Sequence, residues 1–204
     1  MNKKPAKALA SALATVGLVF GLSLAAGPAT AAEGQDRATA ARAVYDRVVA
    51  SADPDAAVEA LSPADHDLFV YAVTPVSEEV TETVTPASGT TARSSCSERT
   101  QLGQGKSAAG VALYDFWTTG RICWDGGVSS ATYLDGGGSS GALGWNYTGS
   151  THAEGVISGW GYAVGRHNFQ LNIAGVVVQS PTGCARVIGS SGAIFGDVGN
   201  CNLG

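Results

Sequence analysis

Hydrolytic chemistry at a serine needs a base within reach and a backbone that presents the hydroxyl. The chain holds three histidines, His66, His152 and His167, and serine pairs at Ser139-Ser140 and Ser190-Ser191. No G-x-S-x-G elbow is present, and both serine pairs lie in Gly/Ser turns, where the hydroxyl bonds locally. His152 or His167 could meet a serine and Asp115, Asp125, Asp135 or Asp197 only through the fold, because no spacing links them. Asp115, Asp125, Glu154 and Asp197 could supply two carboxylates for glycoside hydrolysis on paper. Asp125 and Asp135, however, sit in turn sequences and read as turn formers.

Cysteine chemistry points elsewhere. Cys96, Cys123, Cys184 and Cys201 all lie in the second half of the chain. An even number in an exported chain predicts two disulfides, so a free thiolate nucleophile is not expected. No C-x-x-C pair exists and the histidines are scattered, so neither a metal site nor a cofactor is expected. Three pairings are open; Cys96–Cys123 with Cys184–Cys201 closes the shortest loops. Each bond would stabilise the fold by about 2–4 kcal/mol.

The aromatic residues offer binding chemistry. Trp145 and Tyr147, and again Trp160 and Tyr162, stand two positions apart, so each pair shares one face of a strand. On adjacent strands they would form a platform for a sugar ring or a protein partner. Asn168, Gln170 and Asn172 would present amides to hydroxyl groups beside it. The competing reading makes the aromatics the core and the amides the solvated side of a half-buried strand.

Residues 33–75 read as a short helical segment. Ala41, Val44, Tyr45 and Val48 fall at helical spacing, and Asp53-Pro54 and Ser62-Pro63 are cap and first-turn pairs. Residues 76–95, rich in Thr, Ser, Glu and Pro, read as a linker. Residues 96–204 hold all four tryptophans and most of the glycine. Short strands are expected at 111–118, 121–125, 128–134, 143–147, 156–164, 168–173, 176–179, 184–188 and 193–195. Turns are expected at 125–127 and 135–138. The fold expected is mainly β, an antiparallel sandwich or barrel behind a small α-helical segment.

Residues 1–32 carry an export pattern. Lys3, Lys4 and Lys7 precede an apolar run over 9–24, then Pro28 and the small residues 29–32, with cleavage expected after Ala31 or Ala32. Three of the 12 basic residues fall in this leader, so the mature chain is more acidic than the formal −5. Such a balance excludes nucleic acid as a partner, and cleavage leaves no membrane anchor. Residues 33–95 are also a candidate prosegment, with a cut near Arg93, and the sequence leaves open whether they are removed.

The stretch Leu113-Tyr114-Asp115-Phe116-Trp117, followed by Gly120-Arg121-Ile122-Cys123-Trp124-Asp125-Gly126, resembles a loose group of small exported actinobacterial proteins. These carry a W-C-[YW]-D-G-like strand and turn before a sheet-rich tail; Ile122 stands where they have Trp. The resemblance implies an exported β protein and no particular activity or site residue. The expected function is therefore a secreted, non-enzymatic module that binds a glycan, the cell wall or a protein. A small secreted hydrolase, and a bacteriocin-like toxin or protease inhibitor, are the alternatives.

Overall fold

Proline and a capping side chain set where the helices begin. The computed structural model describes residues 28–85, 90–91, 94–190 and 192–203. The charged and apolar parts of the expected leader, and Arg93, therefore lie outside the described residues. Helix α1 (Pro28–Val49) opens on a proline, tolerated in a first turn where no N–H partner is needed. Helix α2 (Pro54–Glu59) is capped by Asp53, whose Oδ1 accepts from the Ala56 N–H at 3.1 Å. Helix α3 (Pro63–Val73) is capped by Ser62, whose Oγ accepts from the Asp65 N–H at 3.2 Å. No described helix is long and apolar enough to cross a membrane.

Beyond the helices the chain is mainly β, folded as two antiparallel sheets that face one another without closing into a barrel. The first sheet holds β1 (Pro75–Thr85), β2 (Thr90–Thr91), β3 (Ser94–Ser107), β4 (Ala112–Trp124) and β5 (Val128–Ser140). Its order is β1-β3-β4-β5, with β2 beside the start of β3. The second holds β6 (Trp145–Ile157), β7 (Trp160–Ile173), β8 (Val176–Gln179), β9 (Thr182–Ser190) and β10 (Ala193–Val198). Its order is β10-β9-β7-β6, with β8 beside the end of β7. Only residues 141–144 connect the two sheets. Ser158-Gly159 and Ala174-Gly175, all at positive φ, close two-residue hairpins whose twist matches that of their strands.

Two expectations fail here. Residues 75–85, expected within or beside a linker, form a strand paired along its length with β3, from Glu78↔Gly105 to Thr85↔Glu98. The Asp135-Gly136-Gly137-Gly138 run, expected to reverse the chain, lies inside β5. Its glycines lie beneath aromatic rings: Trp117 covers Gly137, and Tyr147 and Phe169 cover Gly138. The same device recurs in β3, where Phe116 lies over its cross-strand partner Gly103 and Tyr114 over Gly105.

Both disulfides form, Cys96–Cys123 and Cys184–Cys201, the pairing with the shortest loops. The first joins direct partners on β3 and β4. The second ties the C-terminal tail to β9.

The core changes character along the sandwich. At one end the sheets meet through small residues: a Cβ on Gly120 would stand 2.8 Å from that of Ala163, and one on Gly189 2.6 Å from Ile122. At the other end rings fill the space, with Tyr114 stacked on Phe169 at 4.2 Å and tilted against Trp145 at 4.9 Å. Helices α1 and α3 close this wide end. Val44, Val48, Phe69 and Val73 share one buried cluster with Phe116, Trp145 and Phe169. Trp145 Nε1 donates to the Val73 carbonyl at 3.1 Å, locking sheet to helix.

Between the two apolar ends lie Gln101, Thr118 and His167, all fully buried. His167 Nε2 meets Thr118 Oγ1 at 3.1 Å, and burial pushes its pKa down to about 4. The folded state thus holds the neutral ring while the unfolded chain protonates near 6.5. Stability should be intact above that value and fall by about 3 kcal/mol as the pH drops towards 4. Denaturant melts of wild type and His167→Asn across this range check it, and the variant should show a flatter profile. An equal pH slope in both chains would remove His167 as the cause.

Candidate functional site

Strand alternation decides which aromatics face solvent. On β7 the odd positions point inward: a Cβ on Gly161 would touch Ala131, Ile122 and Val128 of the first sheet, and Phe169 and Leu171 are buried. Trp160, Tyr162, Asn168, Gln170 and Asn172 therefore lie on the outer face. Trp145 and Tyr147 do not share it. Trp145 is only 4% exposed, and Tyr147 packs against Phe169 with ring centroids 5.3 Å apart. Trp145 pairs with Leu171 whereas Trp160 pairs with Ile157, and Tyr147 pairs with Phe169, so roughly 24 Å of strand separates even the nearer members of the two aromatic pairs. They form no common platform.

The amides are also set apart from Trp160 and Tyr162. The C-terminal tail crosses the outer face between them. Arg166 Nη2 donates to the Cys201 carbonyl at 2.8 Å, and Arg186 Nη1 to the Asn202 carbonyl at 2.9 Å. Val164 is fully buried as a result. Asn168 is occupied structurally: its Oδ1 accepts from Thr182 Oγ1 at 2.9 Å and its carbonyl from Thr148 Oγ1 at 3.1 Å. The Asn172 N–H donates to the Gly144 carbonyl at 2.8 Å. Gln170 stands half-buried between them.

Trp160 and Tyr162 acquire different neighbours. Tyr162 pairs with Gly155 on β6 and with Ile188 on β9, and Ile188 pairs with Phe195 on β10. Ile188 alternates with the buried inner residues Val187 and Gly189, and Phe195 with Ile194 and Gly196, which face the first sheet. A row of four strands thus presents Tyr162, Ile188 and Phe195 outward, with Ile157 and Trp160 beside it at the hairpin end. Phe195 is 48% exposed, Ile157 44% and Trp160 42%. On the other flank Val164, Arg186 and Asp197 form the next row. Arg186 Nε donates to Asp197 Oδ1 at 2.7 Å, and Nη2 donates to Oδ2, so the fork is held rigidly. Hydrogen bonding to Asp197 raises the Arg186 pKa against the effect of burial. The guanidinium is charged at any working pH.

Among the described residues, no hydrolytic centre is assembled beside this face. His167 is sealed in the core against Thr118. His152 stacks on Tyr133 at 4.2 Å, beside Glu154, whose carboxylate accepts from the Tyr133 N–H. Asp115 accepts from Gln104 Nε2 at 2.7 Å, and Ser140 Oγ donates to the Trp145 carbonyl at 2.8 Å. None of these contacts joins a histidine to a serine and a carboxylate. Among the described residues no cluster of His, Cys, Asp and Glu is placed to hold a metal ion.

Ile188 and Phe195 escape sequence reasoning because their link to Tyr162 is pure register across strands that are distant in the chain. Alternation alone would have assigned both to an outer face. Comparison with protein-family models, with characterised proteins and with solved structures finds no match.

Proposed function

We propose that this chain is a secreted, non-enzymatic binding module that holds a glycan on the outer face formed by Ile157, Trp160, Tyr162, Ile188 and Phe195. The observation that carries this reading is the exposure of Trp160 and Phe195 beside Tyr162 on the outer face, whereas Trp145, Tyr147 and Phe169 of the same sheet pack inward. Apolar side chains stay in water at a cost, so a sheet that keeps two large rings outside has a use for them. Two disulfides and the leader read from residues 1–32 support an oxidising, extracellular setting.

Size favours a sugar over a protein partner. Five partly exposed side chains offer on the order of a few hundred Å², short of the roughly 800 Å² per partner in a standard protein interface. A pyranose ring needs only one or two aromatic faces for its C–H side. The Asp197 carboxylate alongside, held in place by Arg186, supplies acceptors for its hydroxyls.

Retention on insoluble polysaccharide, with purified cell-wall sacculi and chitin as matrices, tests the proposal. Trp160→Ala and Phe195→Ala should each weaken retention at least about ten-fold, with the melting temperature within about 3 °C of wild type. Unchanged retention in both variants would reject this face as the contact surface.

A further inference from the structure

A second feature lies at the edge of the sandwich where β1 and β10 flank an open groove of about 430 Å³. Its walls are Pro75, Val76 and Val198, with Ser77 and Gly199 at the rim and Tyr114 beneath. Glu78 supplies the one charged side chain in this lining. The carboxylate lies against the tail, where a Cβ on Gly199 would stand 3.8 Å from Oε2.

Glu78 makes no hydrogen bond and no ion pair among the described residues. The nearest base in register, Lys106, faces Ser77 and is bound to Glu79. Burial raises the Glu78 pKa, and the Glu78 charge joins burial in pushing Tyr114 up to about 12. Both shifts show a negative charge held in a half-dry place with no cation to balance it. Such a charge destabilises the fold, and an arrangement that costs stability is a mark of a site.

We infer that the Glu78 groove binds a primary alkylammonium group, as carried by a small amine or a lysine side chain. The ammonium would sit against the Glu78 carboxylate, above the edge of Tyr114 that reaches the groove. Its methylene stem would lie along Val76 and Val198. A volume of this size takes a short alkyl chain. The acidic surface raises the local concentration of cations. Binding should strengthen as the pH rises through the Glu78 titration, because only the carboxylate form balances the ammonium.

Titration of the full disulfide-bonded chain with n-butylammonium chloride, followed by NMR shifts of β1 and β10 amides, tests the inference. n-Butanol serves as the neutral isostere, and Nα-acetyl-lysine methylamide separates a lysine side chain from a free amine. Saturable binding of n-butylammonium, about ten-fold or more tighter than n-butanol, is expected. Glu78→Gln should lose that preference while melting higher than wild type at neutral pH, since it removes the unbalanced charge. Equal affinity for the alcohol, retained preference in Glu78→Gln, or no saturable binding to the wild type would each overturn the site. The comparison of amine with alcohol uses the wild-type chain alone, so it stands even if the variant folds poorly.

Discussion

Replacing Gly103 with alanine is expected to destabilise the protein by about 3 kcal/mol, lowering its melting temperature by roughly 6–12 °C. The new Cβ would stand 2.3 Å from Cζ of Phe116, well inside contact distance. Phe116 cannot retreat. Its ring is almost fully buried, and Gly183 on the facing sheet lies beneath it, where a Cβ would again be only 2.8 Å away. The ring is clamped between two bare stretches of backbone, one from each sheet. Gly127→Ala is the control: nothing lies within 4 Å of its added Cβ, and its melting temperature should barely move. If Gly103→Ala melts with wild type, the seating of Phe116 on β3 is wrong.

A chain that begins at residue 94 is expected not to fold cooperatively. It would lack α1, α2, α3 and β1, and would uncover Trp145, Tyr114 and Leu171, all nearly fully buried in the intact protein. The indole N–H of Trp145 would lose the Val73 carbonyl, and β3 would lose its partner along residues 98–107. Exposing several aromatic side chains at about 2 kcal/mol each approaches the whole stability of a domain of this size. The measurement is a denaturant melt of the truncated chain followed by near-ultraviolet circular dichroism. A sharp transition with the wild-type midpoint would make the helical segment dispensable. N-terminal sequencing of the secreted product should find a start near Ala32 or Glu33. A start beyond residue 93 would support removal of a prosegment instead.

Local chemistry made the helix caps legible, because Asp53-Pro54 and Ser62-Pro63 each act within a few residues. Alternation made the end of β7 legible for the same reason, whereas the strand expected at 156–164 runs across the Ser158-Gly159 turn from β6 into β7. Strand β1 was hidden by its own polarity. Glu78, Glu79 and Glu82, with Thr81, Thr83 and Thr85, are what an edge strand carries to discourage further pairing, and they look the same as a spacer. The glycines at 136–138 misled in another way. In a short peptide they would turn, but here rings from β4, β6 and β7 need flat backbone beneath them. Composition records flexibility, whereas the fold uses the missing side chain. The binding face was half visible: Trp160 and Tyr162 follow from parity, while Ile188 and Phe195 depend on pairings that no local pattern encodes.

The connection at residues 141–144 makes the molecule a union of two consecutive halves, each with its own sulfur bridge and no covalent tie beyond that one crossing. Oxidation therefore braces each half internally and leaves their adhesion to side-chain contact alone. When the core between the sheets melts, both bridges stay unbroken, and the chain can refold without any thiol exchange.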